Sequence, residues 1–450
     1  MPEALAIDGG APAVTIELPG TLHGVLDIGQ PEIDAVMHVL RRKTMWRFLH
    51  SDDVSESAQL ERRYRDMCGV DHALAVGGGG TCALISALVG LGIGSGDEVI
   101  VPGYTYIATA AACLSVGAIP IIAEVDDSLT LDPADIERHV TPYTKAIIPV
   151  HMRGTPCDMQ PILDIARKHN LKVLEDVAQA NGATYRGKPC GSLGDAGAFS
   201  LQHFKIITAG EGGIVTTNDE QVFRRAAIKH DSAMQFWRDA KSWPSFAGEN
   251  FRMDELRAAL ALAQMDRIPD ILARCRAAKR SLREACCDLD RIQLQRLPDA
   301  DGDCGIVFAF FCRTVAEARQ FSEALDAEGV PNGTIYNKQI PDRHIYTGWD
   351  YVLDKRTSDH TGWPWTAAHR DIQYSRDMCP KTLDVLGRCV AIGLNQRWTS
   401  RHTDLVAAAI RKVHDHLPAE PMQMQAGDGI QMFLQRGPRR YDPLPDRSTS

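Results

Sequence analysis

The chain has 450 residues, 44% of them hydrophobic and 24% charged, with a formal net charge of −9. That length suits one large and one smaller domain, and the acidic balance argues against a nucleic-acid partner, whose phosphates select basic faces. The 12 cysteines are irregularly spaced with no C-x-x-C pair, so reduced, mostly buried thiols of a cytosolic protein are expected.

The opening stretch "MPEALAIDGGAPAVTIELPG" lacks a basic n-region and a long apolar core, so no signal peptide is expected. No run approaches the ~18 apolar residues of a membrane span. From about residue 70 to 218, short apolar strands alternate with amphipathic helices. "AVGGGGTCALISALVG" leads a glycine run, Gly77 to Gly80, into a helix. "DEVIVPGYTY" begins with a strand ending at Pro102, and "AIPIIAEV", "KAIIPVH" and "LKVLEDVAQA" read as further buried strands. "PCDMQPILDIARKHN" has helical spacing with a proline near its start. This alternation predicts a mostly parallel sheet covered on both faces, with functional residues at the carboxyl ends of its strands.

"FSLQHFKIITAGEGGIVTTND" then sets Lys205 between a strand-like run and a glycine turn. "NFRMDELRAALALAQMDRIPDILARCRAAKRSLREAC" predicts a long helical stretch, after which "GIVFAFFCR" opens a second, α+β unit. The expected organisation is a large α/β domain over 1–295, a smaller α+β domain over 296–418 and a mobile polar tail over 419–450.

A glycine run entering a helix exposes backbone N–H groups and a dipole end, which suit a phosphate. A flexible turn capped by Thr81 is the alternative; the run matches neither a P-loop nor a dinucleotide fingerprint. Asp176 ends a buried strand, where a carboxylate needs a partner: a protonated heterocycle nitrogen, or the backbone of a following helix that it caps. Lys205, five residues after Ser200, is either a surface charge or an amine whose pocket lowers its pKa for Schiff-base chemistry. The order of glycine turn, aspartate, serine and lysine is that of a pyridoxal 5′-phosphate (PLP) enzyme.

From about residue 5 to 415 the chain resembles the DegT/DnrJ/EryC1/StrS family of sugar and aminocyclitol aminotransferases, of PLP fold type I with a seven-stranded sheet. The matching segments occur in family order: "GGGGTCAL", "VPGYTYIATAAA", "HMRGTPCDM", "EDVAQANGA", "FSLQHFKIITAGEGGIVTTND" and "NFRMDELRAALALAQ". The resemblance implies Lys205 as the Schiff-base lysine and proton shuttle, and Asp176 facing the pyridine nitrogen. It implies Gln179 at the ring's 3-oxygen, Tyr106 stacked on the ring, and Gly80, Thr81 and Ser200 on the phosphate. Asn250 matches an asparagine that reaches the phosphate from the neighbouring subunit, which implies a homodimer with shared sites.

By the same resemblance, glutamine or glutamate donates the amine to a keto-cyclitol or keto-sugar, as in aminoglycoside-like biosynthesis. Family dehydratases carry histidine at the lysine position; here His203 and Phe204 precede an intact Lys205. Other PLP chemistry, such as oxidation, elimination or dehydration, is the alternative, and a non-enzymatic PLP-binding member is a third. The sequence departs from the family with an extra glycine in the turn and with Asn181 where histidine is frequent. Arg153 occupies a variable position and is either a contact for an anionic substrate group or a structural ion pair. Tyr336, Lys338 and His344 are candidate substrate-lining residues, and Trp363 and Trp365 read as core or interface aromatics.

Overall fold

Alternate residues of the second strand serve opposite cores: Val99 and Val101 pack into one and Ile100 into the other. A strand's period of two requires this when helices cover both sheet faces. The structure, a computed structural model, describes residues 4–237, 243–335 and 343–422. Its main sheet contains β1 (His72–Val76), β2 (Glu98–Pro102), β3 (Ile119–Ala123), β4 (Thr144–Ile147) and β5 (Lys172–Asp176). After a small hairpin of β6 (Thr184–Tyr185) and β7 (Lys188–Pro189), β8 (Ala196–Ser200) and β9 (Gly213–Thr217) complete it.

The seven strands lie in the order β1-β9-β8-β5-β4-β2-β3. The pairs from β8 through β5, β4 and β2 to β3 are parallel, and β9 runs antiparallel to both its neighbours. The predicted strands and the helix Met159–His169 stand where the sequence puts them. The long stretch after residue 250 does not form one helix: Glu255–Met265 and Ile268–Cys286 are separated at Asp266 and Arg267. Apolar spacing continues across the break, but Pro269 stands at the second helical position, where proline starts a helix.

β11 (Val307–Cys312) is the middle of a second, antiparallel sheet, flanked by β10 (Ile292–Leu294) and β12 (Cys389–Gly393). Phe308, Phe310, Phe321, Leu325 and Ile410 fill its core. Val14 joins this core from the start of the chain, while Tyr346, Trp349 and Leu383 return to the core of the large sheet. We propose that the chain divides near residue 295, with these two segments crossing between the units. Positions from 423 onward, including nearly all of the expected tail, lie outside the described residues. Of the 12 cysteines, all but Cys82 and Cys287 are buried. No helix among the described residues is long and apolar enough to cross a membrane.

Candidate active site

Strand register assembles the site. Val76, at the end of β1, pairs with Gly213 of β9, which pairs in turn with Ser200, at the end of β8. The glycine turn after β1 and the serine at the end of β8 therefore sit one strand apart. The turn leads directly into the helix Gly79–Gly90, so Gly80 and Thr81 belong to its first turn, and Gly78 rather than Thr81 is the cap. The first N–H groups of that helix have no intrahelical acceptor and carry the positive end of its dipole. A Cβ at position 80 would lie 3.0 Å from Ser200 Cβ and 3.4 Å from its Oγ. Gly80 thus keeps open a cup walled by a hydroxyl and helix N–H groups, as a phosphate requires.

Asp176 ends β5, next to β8, and is 4% exposed. No helix follows it directly, so it is not a helix cap. Its Oδ2 accepts from Thr109 Oγ1 at 2.8 Å and its Oδ1 from the Ala178 N–H at 3.0 Å. Burial pushes its carboxyl above the usual aspartate range, and these two bonds and the nearby Lys205 charge pull it back. A cationic ring nitrogen beside it would offset the desolvation.

Thr109 escaped the sequence reading, although "YIATAAA" lies within a quoted motif. It is fully buried, and its hydroxyl meets that of Thr105 at 2.8 Å. Thr109→Val is expected to lower kcat/KM about tenfold by removing a bond to a buried carboxylate, with Thr109→Ser restoring it; steady-state kinetics on the three proteins checks this.

Behind Asp176, on the adjoining residue, Glu175 accepts N–H bonds from Gly191, Leu193 and Gly194. It also meets His151 Nε2 at 3.0 Å. His151 Nδ1 accepts the Cys157 N–H, which leaves the Nε2 proton facing Glu175, while the His151 N–H holds the Asp176 carbonyl. The result is a saturated hydrogen-bonded pin under the end of β5.

Lys205 lies in the turn after β8, its N–H bonded to the Gln202 carbonyl. Burial lowers the pKa of its amine, opposed by the charges of Asp176 and Glu211. Asn181, at the departure from the family pattern, is buried: its Nδ2 donates to the Ser200 carbonyl, and Tyr64 OH donates to its Oδ1. It therefore supports the strand end that carries Ser200.

Gln179 Oε1 accepts the Arg153 N–H at 3.0 Å, which orients the amide so that its NH₂ group remains the donor. Arg153 makes this bond from a left-handed backbone, φ 52°, which is uncommon for a residue with a side chain. Its Nε donates to Tyr104 OH at 2.7 Å. Tyr106 is 45% exposed, its ring 5.6 Å from that of His344, whose carbonyl accepts the Thr105 N–H. Asn250 is exposed, next to Phe251, whose carbonyl accepts the Gly77 N–H. Trp365 packs against the large core, and Trp363 Nε1 donates to Ser95 Oγ. Tyr336 and Lys338 lie outside the described residues.

The cup, the buried aspartate, the oriented amide and the desolvated lysine form a donor set that fits PLP. A model of the DegT/DnrJ/EryC1/StrS aminotransferase family matches residues 28–411. The chain belongs to this family. Aminotransferases of the family use PLP, and the architecture is that of PLP fold type I. A GDP-perosamine synthase of Caulobacter vibrioides is 48% identical over 216 residues, 48% of this chain and 57% of that protein. An L-glutamine:2-deoxy-scyllo-inosose aminotransferase of Streptoalloteichus tenebrarius is 38% identical over 259 residues, 56% of this chain and 58% of that protein. In both, the match spans less than two thirds of the relative's own length. The solved structure of a 3-amino-5-hydroxybenzoic acid synthase superposes with a TM-score of 0.73 at 27% identity, covering 90% of this chain and 100% of that one.

Proposed function

We propose that the protein is a PLP-dependent aminotransferase that moves an amino group from glutamine or glutamate to a keto-sugar or keto-cyclitol, in natural-product biosynthesis. The observation that carries this reading is the meeting of Lys205, Asp176, Ser200 and Gly80 at one end of the sheet in a chain of this family. When bound, PLP supplies a carbonyl carbon for amines and a protonated ring that accepts electrons.

This chain's residues do the rest. Gly80, Thr81 and Ser200 bind the phosphate. Asp176 holds a proton on the ring nitrogen, Gln179 donates its NH₂ group to the ring's 3-oxygen, and Tyr106 covers one ring face. Lys205 Nζ takes a proton from Cα of the donor and returns it one step later; its lowered pKa favours the neutral amine this needs. Asn250, exposed beside the glycine turn, reaches the phosphate of a second copy, so the working unit is a homodimer. Arg153 and His344 line the acceptor side. Amino-sugar and aminocyclitol relatives both support a keto-carbohydrate acceptor.

The test is an absorbance titration of the PLP-loaded protein with L-glutamine, with Lys205→Ala as control. Loss of the visible band with release of a 2-oxo acid supports the first half-reaction and leads to keto-sugar and keto-cyclitol acceptors. A band that persists with both glutamine and glutamate sinks the donor assignment.

A further inference from the structure

A second set of functional groups lies apart from the cup and shares no residue with it. The helix Ile268–Cys286 buries Ile271, Leu272, Cys275 and Leu282 on one side. Arg276, Lys279, Arg280 and Arg283 follow at i, i+3, i+4 and i+7, so they share a face. That face lines a cavity of about 350 Å³, walled opposite by residues of the 294–305 segment.

Lys279, 3% exposed, donates to Asp303 Oδ1 at 2.9 Å, and Asp303 is 1% exposed, so this pair is neutral and closed. The three arginines differ. None has a carboxylate within 4.0 Å among the described residues, whereas Arg274 on the same helix pairs with Asp270 at 2.9 Å. Arg276 and Arg283 are fixed by main-chain carbonyls instead, of Asp303 at 2.6 Å and Gln295 at 2.9 Å. A guanidinium has five donors, so each retains others. Burial disfavours the Arg283 charge, a cost that an anion in the cavity would offset. The other acids of the lining, Glu284 and Asp301, are exposed and screened by water.

We propose that this cavity is an anion site that takes a phosphate dianion, either free or carried on a small organic molecule. Planar guanidiniums held in fixed orientation match phosphate oxygens. Leu294 and Leu297 offer an apolar wall to an organic substituent. The Cys304 N–H bonds the Gly154 carbonyl, and Asp303 Oδ2 accepts from Thr155 Oγ1. The cavity wall is therefore tied to the turn that carries Arg153.

Calorimetric titration of the PLP-loaded protein, its phosphate cup filled, with inorganic phosphate at constant ionic strength tests the proposal. Saturable binding is expected, weakened at least ~10-fold in Arg280→Ala/Arg283→Ala by the loss of charge-assisted bonds and unchanged in Arg274→Ala. Arg280→Glu, at an exposed position with no hydrogen-bond partner among the described residues, guards against a folding defect and is expected to weaken binding as well. Phenyl phosphate binding more tightly than inorganic phosphate assigns a phosphomonoester, and equal affinities assign the free ion. Absence of saturable heat, or equal binding by wild type, the double variant and Arg280→Glu, overturns the site.

Discussion

Lys205→Ala is expected to lower kcat/KM for amino transfer by at least roughly 10⁴-fold, because in the proposed function one side chain supplies both the covalent anchor and the proton carrier. Lys205→Arg separates charge from proton transfer. It restores a cation to the turn after β8, but a guanidinium cannot be deprotonated in a protein, so activity stays at the alanine level. Single-turnover kinetics with L-glutamine checks both variants. An arginine variant retaining a tenth of wild-type activity would mean that Lys205 serves only as a charge. Burial moves this amine towards the neutral form that proton transfer needs.

The second large effect is at Asp176. Asp176→Asn keeps the shape but removes the charge, and its NH₂ group confronts a donor that the carboxylate now accepts, from Thr109 or from Ala178. A loss in kcat of roughly 10²–10³-fold is expected, the scale of losing one preorganised electrostatic partner. The pH profile provides a separate reading. Burial raises the Asp176 pKa, so the carboxylate is ionised above that raised value and protonated below it. Before PLP is bound, the pH titration of the protein's carboxyls should therefore show an acid limb above 3.8, the ordinary aspartate value, and the asparagine variant should lack that limb. A variant with an unchanged acid limb would assign the titration to another group.

Much of this site is legible along the chain because its parts are local. Strand ends carry Asp176 and Ser200, the glycine run precedes a helix, and Lys205 sits in a turn; each is a short-range pattern. Thr109 is different: its contact with Asp176 joins residues 67 apart, and nothing in "IATAAA" distinguishes a buried hydrogen-bond donor from a packed threonine. The left-handed backbone of Arg153 is equally silent in sequence, since it is fixed by the Gln179 contact rather than by a glycine. Nothing along the chain marks the arginines at 276, 280 and 283 as facing a cavity, because its opposite wall comes from the 294–305 segment.

What the sequence determined by itself was the type of the strands from β2 to β5 and of the helix Met159–His169, because periods of two and of 3.6 are properties of neighbouring residues. It also determined the order of the family motifs. Only the tertiary structure decided the strand order β1-β9-β8, which sets the glycine turn one strand from Ser200. The same packing decided which hydroxyl holds Asp176. These choices depend on contacts between distant segments whose burial is settled only when both faces of the sheet are covered.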